Sequence, residues 1–327
     1  MKIVRLLVLL AVFVLASCDE GLNEGVTSDE VNASQQNVEE IELIDNGCYS
    51  GEVYIEHEDT CALSIQCSDY ESCIAWGNEV LATLEDNYGS LVEEESVGTD
   101  DDSLKVIAKY DVDNGDEVIY TDDDVTDEQL EYHADLWFSY AWLIPEDQRE
   151  DMNKFEVFES GQTLAYVQTH DDYAEYWTLG MNNENIELAS ETLVTYLHEY
   201  AHLLSLRSTE VDYWEDETSC PSLYIEESGC MFEDAYLANF YWQFWDGGGY
   251  DELEEYYVSE YAMTSPQEDF AESWAHFVLT GTPVGDSVVE EKILFFYQYE
   301  ELVELRARIL ARVATWLVRS VSLDEEV

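Results

Sequence analysis

The chain has 327 residues, 75 of them acidic and only 12 basic, for a formal charge of −63, while 46 % of its residues are hydrophobic. That charge excludes nucleic acid as a partner, because no basic patch could offset phosphate repulsion. It also strains a compact fold by self-repulsion unless salt screens it, which points to a saline setting.

The first residues carry Lys2 and Arg5 ahead of an apolar run from Leu6 to Ala16. The run is too short for a lasting membrane span and reads as an export signal over residues 1–17. Leu15, Ala16 and Ser17 followed by Cys18 resemble the bacterial lipobox, in which cleavage precedes the cysteine and that cysteine carries the lipid. The resemblance implies a protein exported to the bacterial cell envelope, on its periplasmic or extracellular face, and held on the membrane through lipid on Cys18. Several acyl chains on one cysteine suffice for that without any spanning helix. Residues 18–45 are polar and acidic and nearly free of large apolar groups, so they are expected to form a disordered tether.

Six cysteines follow: Cys48, Cys61, Cys67 and Cys73 in a region spanning 46–100, then Cys220 and Cys230. An even count in an exported chain predicts three disulfides, and proximity favours two within the first cluster and one between Cys220 and Cys230. The first four do not have the spacing of a zinc ribbon. Residues 101–327 are long enough for one catalytic domain.

Within that domain, Leu104 to Tyr110 and Glu117 to Tyr120 are β-rich runs around Asp113-Asn114-Gly115-Asp116, a hairpin signal. A calcium loop is a poorer fit, since the glycine falls one position early. Thr126, Asp127 and Glu128 open a helix to about Leu143, stopped by Pro145. Phe155 to Phe158, Thr163 to Gln168 and Tyr176 to Leu179 alternate as strands. Helices are then expected from about Ser190, from Pro266 to Leu279, and from Val289 to Val318. Strands first and helices later give an α+β class.

The helix near Ser190 contains His198-Glu199-Tyr200-Ala201-His202. Histidines at i and i+4 share a helix face, so both imidazoles can reach one ion, with Glu199 placed as a general base. A catalytic zinc wants three protein ligands and an open position. A third histidine at 208 is absent, since Ser205 and Ser208 occupy that extension, so a later carboxylate must complete the set. Glu268, Asp269 and Glu272 fall within one turn of helix; Glu268 and Glu272 share a face and Asp269 points elsewhere. Ser265-Pro266-Gln267-Glu268 also fits a capping box with proline at the first helical position.

The two blocks, HEYAH and the later YAMTSPQEDFAESWAHF, resemble gluzincin metallopeptidases, most closely the family of the anthrax lethal factor catalytic domain. Cys220 to Cys230, the NFYWQFW run and EEKILFFYQYEELVELR look like a group of bacterial lipoproteins with the same zinc signature. The resemblance covers short blocks only. It implies a zincin-like catalytic domain over 101–327, zinc held by His198, His202 and Glu268, Glu272 as a carboxylate behind the ligands, and Tyr261 as a transition-state-stabilising tyrosine. The toxin role does not carry over.

The expected function is therefore membrane-anchored, zinc-dependent hydrolysis of a peptide or protein substrate, by a chain acting as a monomer. The alternative is a non-catalytic, zinc-stabilised binding or adhesion lipoprotein. Tyr241, Trp242, Phe244 and Trp245 are candidates for an apolar specificity pocket, although aromatic residues at that density more often form core. His276, four residues after Glu272, is a candidate partner for it, and His57, His133 and His170 receive no role.

Overall fold

A computed structural model describes residues 47–324, except 50, 57–59, 93–103, 114, 116, 121–124, 162, 171–172, 184–188, 227 and 247–252. The segments read above as an export signal (1–17) and a tether (18–45), with Cys18, lie outside the described residues. The fold is α+β, and residues 47–324 belong to one compact unit.

Strands β1 (Glu52–Ile55) and β2 (Thr60–Leu63) pair antiparallel. Helix α1 (Tyr70–Tyr88) follows, opened by a reciprocal cap. Asp69 accepts the Ser72 amide at 2.9 Å, and the Ser72 hydroxyl accepts the Asp69 amide at 3.1 Å. Cys48–Cys61 ties the entry of β1 to β2, Cys67–Cys73 ties the approach of α1 to its first turn, and Cys220–Cys230 closes a later loop. Their Cα separations of 5.6, 4.8 and 5.6 Å lie in the range a disulfide accepts.

The main sheet has the order β4-β3-β5-β7-β6, built from β3 (Lys105–Asp113), β4 (Glu117–Tyr120), β5 (Met152–Glu159), β6 (Ala165–His170) and β7 (Tyr173–Asn182). Among the described strands of this sheet only β5 and β7 run parallel. The hairpin expected at residues 113–116 forms, with Gly115 at φ +69°, a conformation that favours glycine. Helix α2 (Asp127–Leu143) starts on a Thr126/Gln129 capping box and ends before Pro145.

Helix α3 (Ala189–Leu206) crosses between β6 and the helices that follow. Short strands β8 (Val211–Asp212), β9 (Tyr224–Ile225) and β10 (Gly229–Met231) carry the Cys220–Cys230 bridge. Helices α4 (Tyr236–Phe244), α5 (Pro266–Leu279), α6 (Val288–Phe296) and α7 (Glu300–Asp324) complete the chain. No helix among the described residues is long and apolar enough to cross a membrane.

The single helix expected from Val289 to Val318 is two. The amides of Tyr297, Gln298 and Tyr299 bond three residues back, which tightens and ends α6. The Tyr297 carbonyl, which a continuous helix would give to residue 301, instead accepts the Tyr70 hydroxyl at 2.6 Å. Helix α7 then lies along α1, so Trp76, Val80 and Leu84 share one core with Arg306, Leu310 and the sheet. The buried Arg306 guanidinium donates to the carbonyls of Phe277 at 2.7 Å and Thr280 at 2.9 Å, at the C-terminal end of α5, where a cation complements the helix dipole. Gly77 makes room for it: a Cβ there would sit 2.6 Å from the guanidinium.

Helices α5 and α6 are joined by a buried ion pair, Lys292 Nζ to Asp269 Oδ2 at 2.7 Å, with Trp245 Nε1 donating to the same carboxylate at 2.8 Å. Burial pushes the Asp269 carboxyl up to about 6 even with Lys292 beside it, and pushes Lys292 down. Lys292→Met should leave that carboxylate buried without a cation and lower unfolding free energy by roughly 3–5 kcal/mol in urea titrations. Lys292→Met with Asp269→Leu should recover much of the loss. An unchanged urea midpoint in the single variant would contradict this reading of the pair.

Candidate metal centre

Helix α3 is buried almost all round, because β6 covers one side and α5 the other. Leu193, Leu197, Ala201 and Leu204 give the apolar stripe that sets its rotation. His198 and His202, four residues apart, then project together toward the start of α5. Their rings lie 4.7 Å apart, centroid to centroid.

Helix α5 begins on the Ser265 cap, whose hydroxyl accepts the Glu268 amide at 3.2 Å, with Pro266 in the first turn. The Glu268 carboxylate does not return to the cap as a full capping box would require. It turns to the histidines: Oε2 lies 3.0 Å from His198 Nε2 and 3.1 Å from His202 Nε2. The two Nε2 atoms are 3.0 Å apart. These three atoms form a near-equilateral triangle, somewhat tighter than one face of a tetrahedron around an ion with bonds of roughly 2.0–2.2 Å. His198, His202 and Glu268 thus form a candidate metal site. A second grouping, Cys48, Glu52 and Cys61, offers no thiolate because both sulfurs are in a disulfide.

Behind the triangle, His198 Nδ1 donates to Glu272 Oε1 at 2.5 Å, which fixes Nε2 as the nitrogen that faces the site. The other Glu272 oxygen accepts the Ser259 hydroxyl at 2.9 Å, and His276 Nδ1 donates to the Glu272 carbonyl at 3.0 Å. Burial alone would depress His198, but Glu268 and Glu272 outweigh it and hold the imidazole well above its ordinary pKa. Burial likewise raises Glu268 and Glu272, and the histidines overcome it, leaving both carboxyls low. The two carboxylates thus favour positive charge at the triangle, which a proton on His198 supplies here and a metal ion would supply in its place.

Glu199 is buried next to His198, and burial raises its pKa against the pull of His198 and His202. Its carboxylate also accepts the Val167 amide of β6, the edge strand beside α3. Tyr261 opens a short 3-10 turn (Tyr261–Thr264); its ring is 49 % exposed and 5.6 Å from the His198 ring. Asp269, as the helical spacing predicts, faces Lys292 and not the histidines.

Comparison with protein-family models, with curated proteins and with solved structures finds no significant match. The site therefore stands on its own geometry.

The aromatic run is not one pocket: Phe244 packs into the core against Phe240, Trp245 holds Asp269, and Trp242 is half exposed. His133 is a buried core histidine, 2.6 Å from the Tyr110 hydroxyl and 3.3 Å from Asn183 Oδ1. His57 and the side chain of His170 lie outside the described residues. Ser259, Lys292 and the Val167 amide were not singled out by motif spacing. Only Ser259 carried a signal, as a turn-capping serine two residues before Tyr261.

Glu268→Gln preserves the cap but replaces a carboxylate ligand, and should cost most of the metal affinity in competition titrations against a chelator. Glu272→Gln, which reaches the metal through His198, should cost about ten- to a hundredfold in metal affinity. Wild-type affinity in Glu268→Gln with a metal-free Glu272→Gln would move the ligand to Glu272.

Proposed function

We propose that this chain is a zinc-dependent peptidase with a zincin-like catalytic domain, exported and held on the bacterial envelope by lipid at Cys18. The observation that carries the reading is the convergence of His198, His202 and Glu268 on one point, with a buried carboxylate, Glu199, beside it. Two imidazole nitrogens and one carboxylate oxygen suit zinc, and three protein ligands leave a position open. A purely structural zinc has no use for a carboxylate next to that position. Three disulfides agree with export into an oxidising compartment.

Zinc, when bound, lowers the pKa of a water to near seven and polarises the scissile carbonyl. The remaining tasks fall to side chains. His198 is kept in one tautomer by Glu272, which orients its ring. The Glu199 carboxylate, buried beside His198, takes the proton of the attacking water and hands it to the leaving amine nitrogen. The Tyr261 hydroxyl, at the exposed side of His198, donates to the oxyanion as it develops.

Glu199→Gln should keep one zinc per chain and lower kcat by roughly a hundred- to ten-thousandfold on a cleaved peptide. Zinc-replete wild-type protein that cuts nothing in a diverse peptide library would instead support a non-catalytic, zinc-stabilised binding lipoprotein.

Substrate charge should also matter. A protein of charge −63 attracts cationic peptides and repels anionic ones at long range. Peptides flanked by Lys should show higher kcat/KM than Glu-flanked ones at low ionic strength, with the gap closing toward molar salt. Equal values at low salt would show that the general field does not reach the cleft.

A further inference from the structure

The turn carrying Tyr261 has little apolar anchorage. Among Ser259 to Thr264 only Ala262 is fully buried, and a single methyl group contributes little. Yet the Tyr261 ring is set over His198 at a defined tilt of 34°. Polar contacts help to hold it there. The Ser259 hydroxyl donates to Glu272 Oε2 at 2.9 Å and accepts the Ala262 amide at 3.1 Å, which one hydroxyl can do at once. The Thr264 hydroxyl closes the turn on the Tyr261 carbonyl at 2.7 Å. Upstream, Lys292 Nζ holds the Tyr256 carbonyl at 2.8 Å and lies 3.7 Å over the Tyr257 ring. The segment is thus pinned to α6 at its back and to α5 at its front.

We propose that Ser259 is a positioning residue that couples the Tyr261 turn to the metal centre through Glu272. The two oxygens of Glu272 divide the work: Oε1 orients His198, and Oε2 anchors the turn. One carboxylate therefore sets both the ligand and the tyrosine beside it. Losing Ser259 frees the turn while leaving all three donor atoms in place. The effect on catalysis rests on the reading of Tyr261 as the oxyanion donor; the effect on order does not.

The test uses full-length, zinc-loaded protein carrying Ser259→Ala, Ser259→Thr, Tyr261→Phe, and Ser259→Ala with Tyr261→Phe. Ser259→Ala should retain one zinc per chain but exchange its amides over residues 260–264 markedly faster than wild type. Ser259→Thr, which keeps the hydroxyl, should restore protection. With a cleaved peptide, Ser259→Ala should lose kcat toward the level of Tyr261→Phe, roughly a hundred- to a thousandfold at most, with KM little changed. The double variant should be no worse than Tyr261→Phe alone, because both act through one group. Unchanged exchange in Ser259→Ala, loss of zinc from it, or kcat losses that multiply in the double variant would each overturn the proposal. If zinc-loaded wild type cleaves nothing, the peptidase reading fails, and the exchange measurement still decides whether Ser259 orders the turn.

Discussion

The structure depends on how a strongly anionic chain buries carboxylates. Glu199, Glu268, Asp269 and Glu272 lie within or against the core where α3 meets α5, and an unpaired buried charge there would cost several kcal/mol. Each has a partner. Asp269 has Lys292 and Trp245, Glu272 has His198 and Ser259, Glu268 has both histidines, and Glu199 has the Val167 amide. Three of the four cluster around one small triangle of donor atoms, where a cation is the natural complement. Helices α3 and α5 pack closely there, with the Tyr200 and Trp274 rings 6.0 Å apart between them.

The scarce cations show the same economy from the other side. Among the basic residues that the structure describes, Arg149, Lys292, Arg306 and Arg312 are buried. The three arginines donate to backbone carbonyls: Ile144 and Gly115 for Arg149, Phe277 and Thr280 for Arg306, and Trp142 for Arg312. They join loop ends and helix ends that the hydrophobic core alone would leave unsatisfied. Spending positive charge inside leaves the surface still more anionic, which ties the fold's stability to screening by salt.

Much of this was legible in the residues and some was not. Local signals read true where they were chemical: Gly115 in its hairpin, Thr126 and Ser265 as caps, and the i, i+4 histidines. The break between α6 and α7 was hidden, because Tyr297 to Tyr299 continue a helical pattern and what ends it is Tyr70, 227 positions away. The parallel pairing of β5 with β7 was equally hidden, since strand order is a long-range property. At the candidate metal site, spacing narrowed the third donor to one turn of α5 but left cap and ligand open for Glu268. The Glu268 amide is held by the Ser265 cap while its Oε2 faces both imidazoles. Ser259 and Lys292 act across 13 and 23 residues, distances at which no short motif speaks.

The central claim is that two imidazoles and one carboxylate hold a catalytic zinc. X-ray absorption at the zinc edge of the purified, zinc-loaded protein tests it most directly. The account predicts nitrogen and oxygen neighbours at roughly 2.0–2.2 Å, outer-shell scattering from two imidazoles, and no sulfur. A sulfur shell at roughly 2.3 Å, or scattering from fewer than two imidazoles, would contradict it.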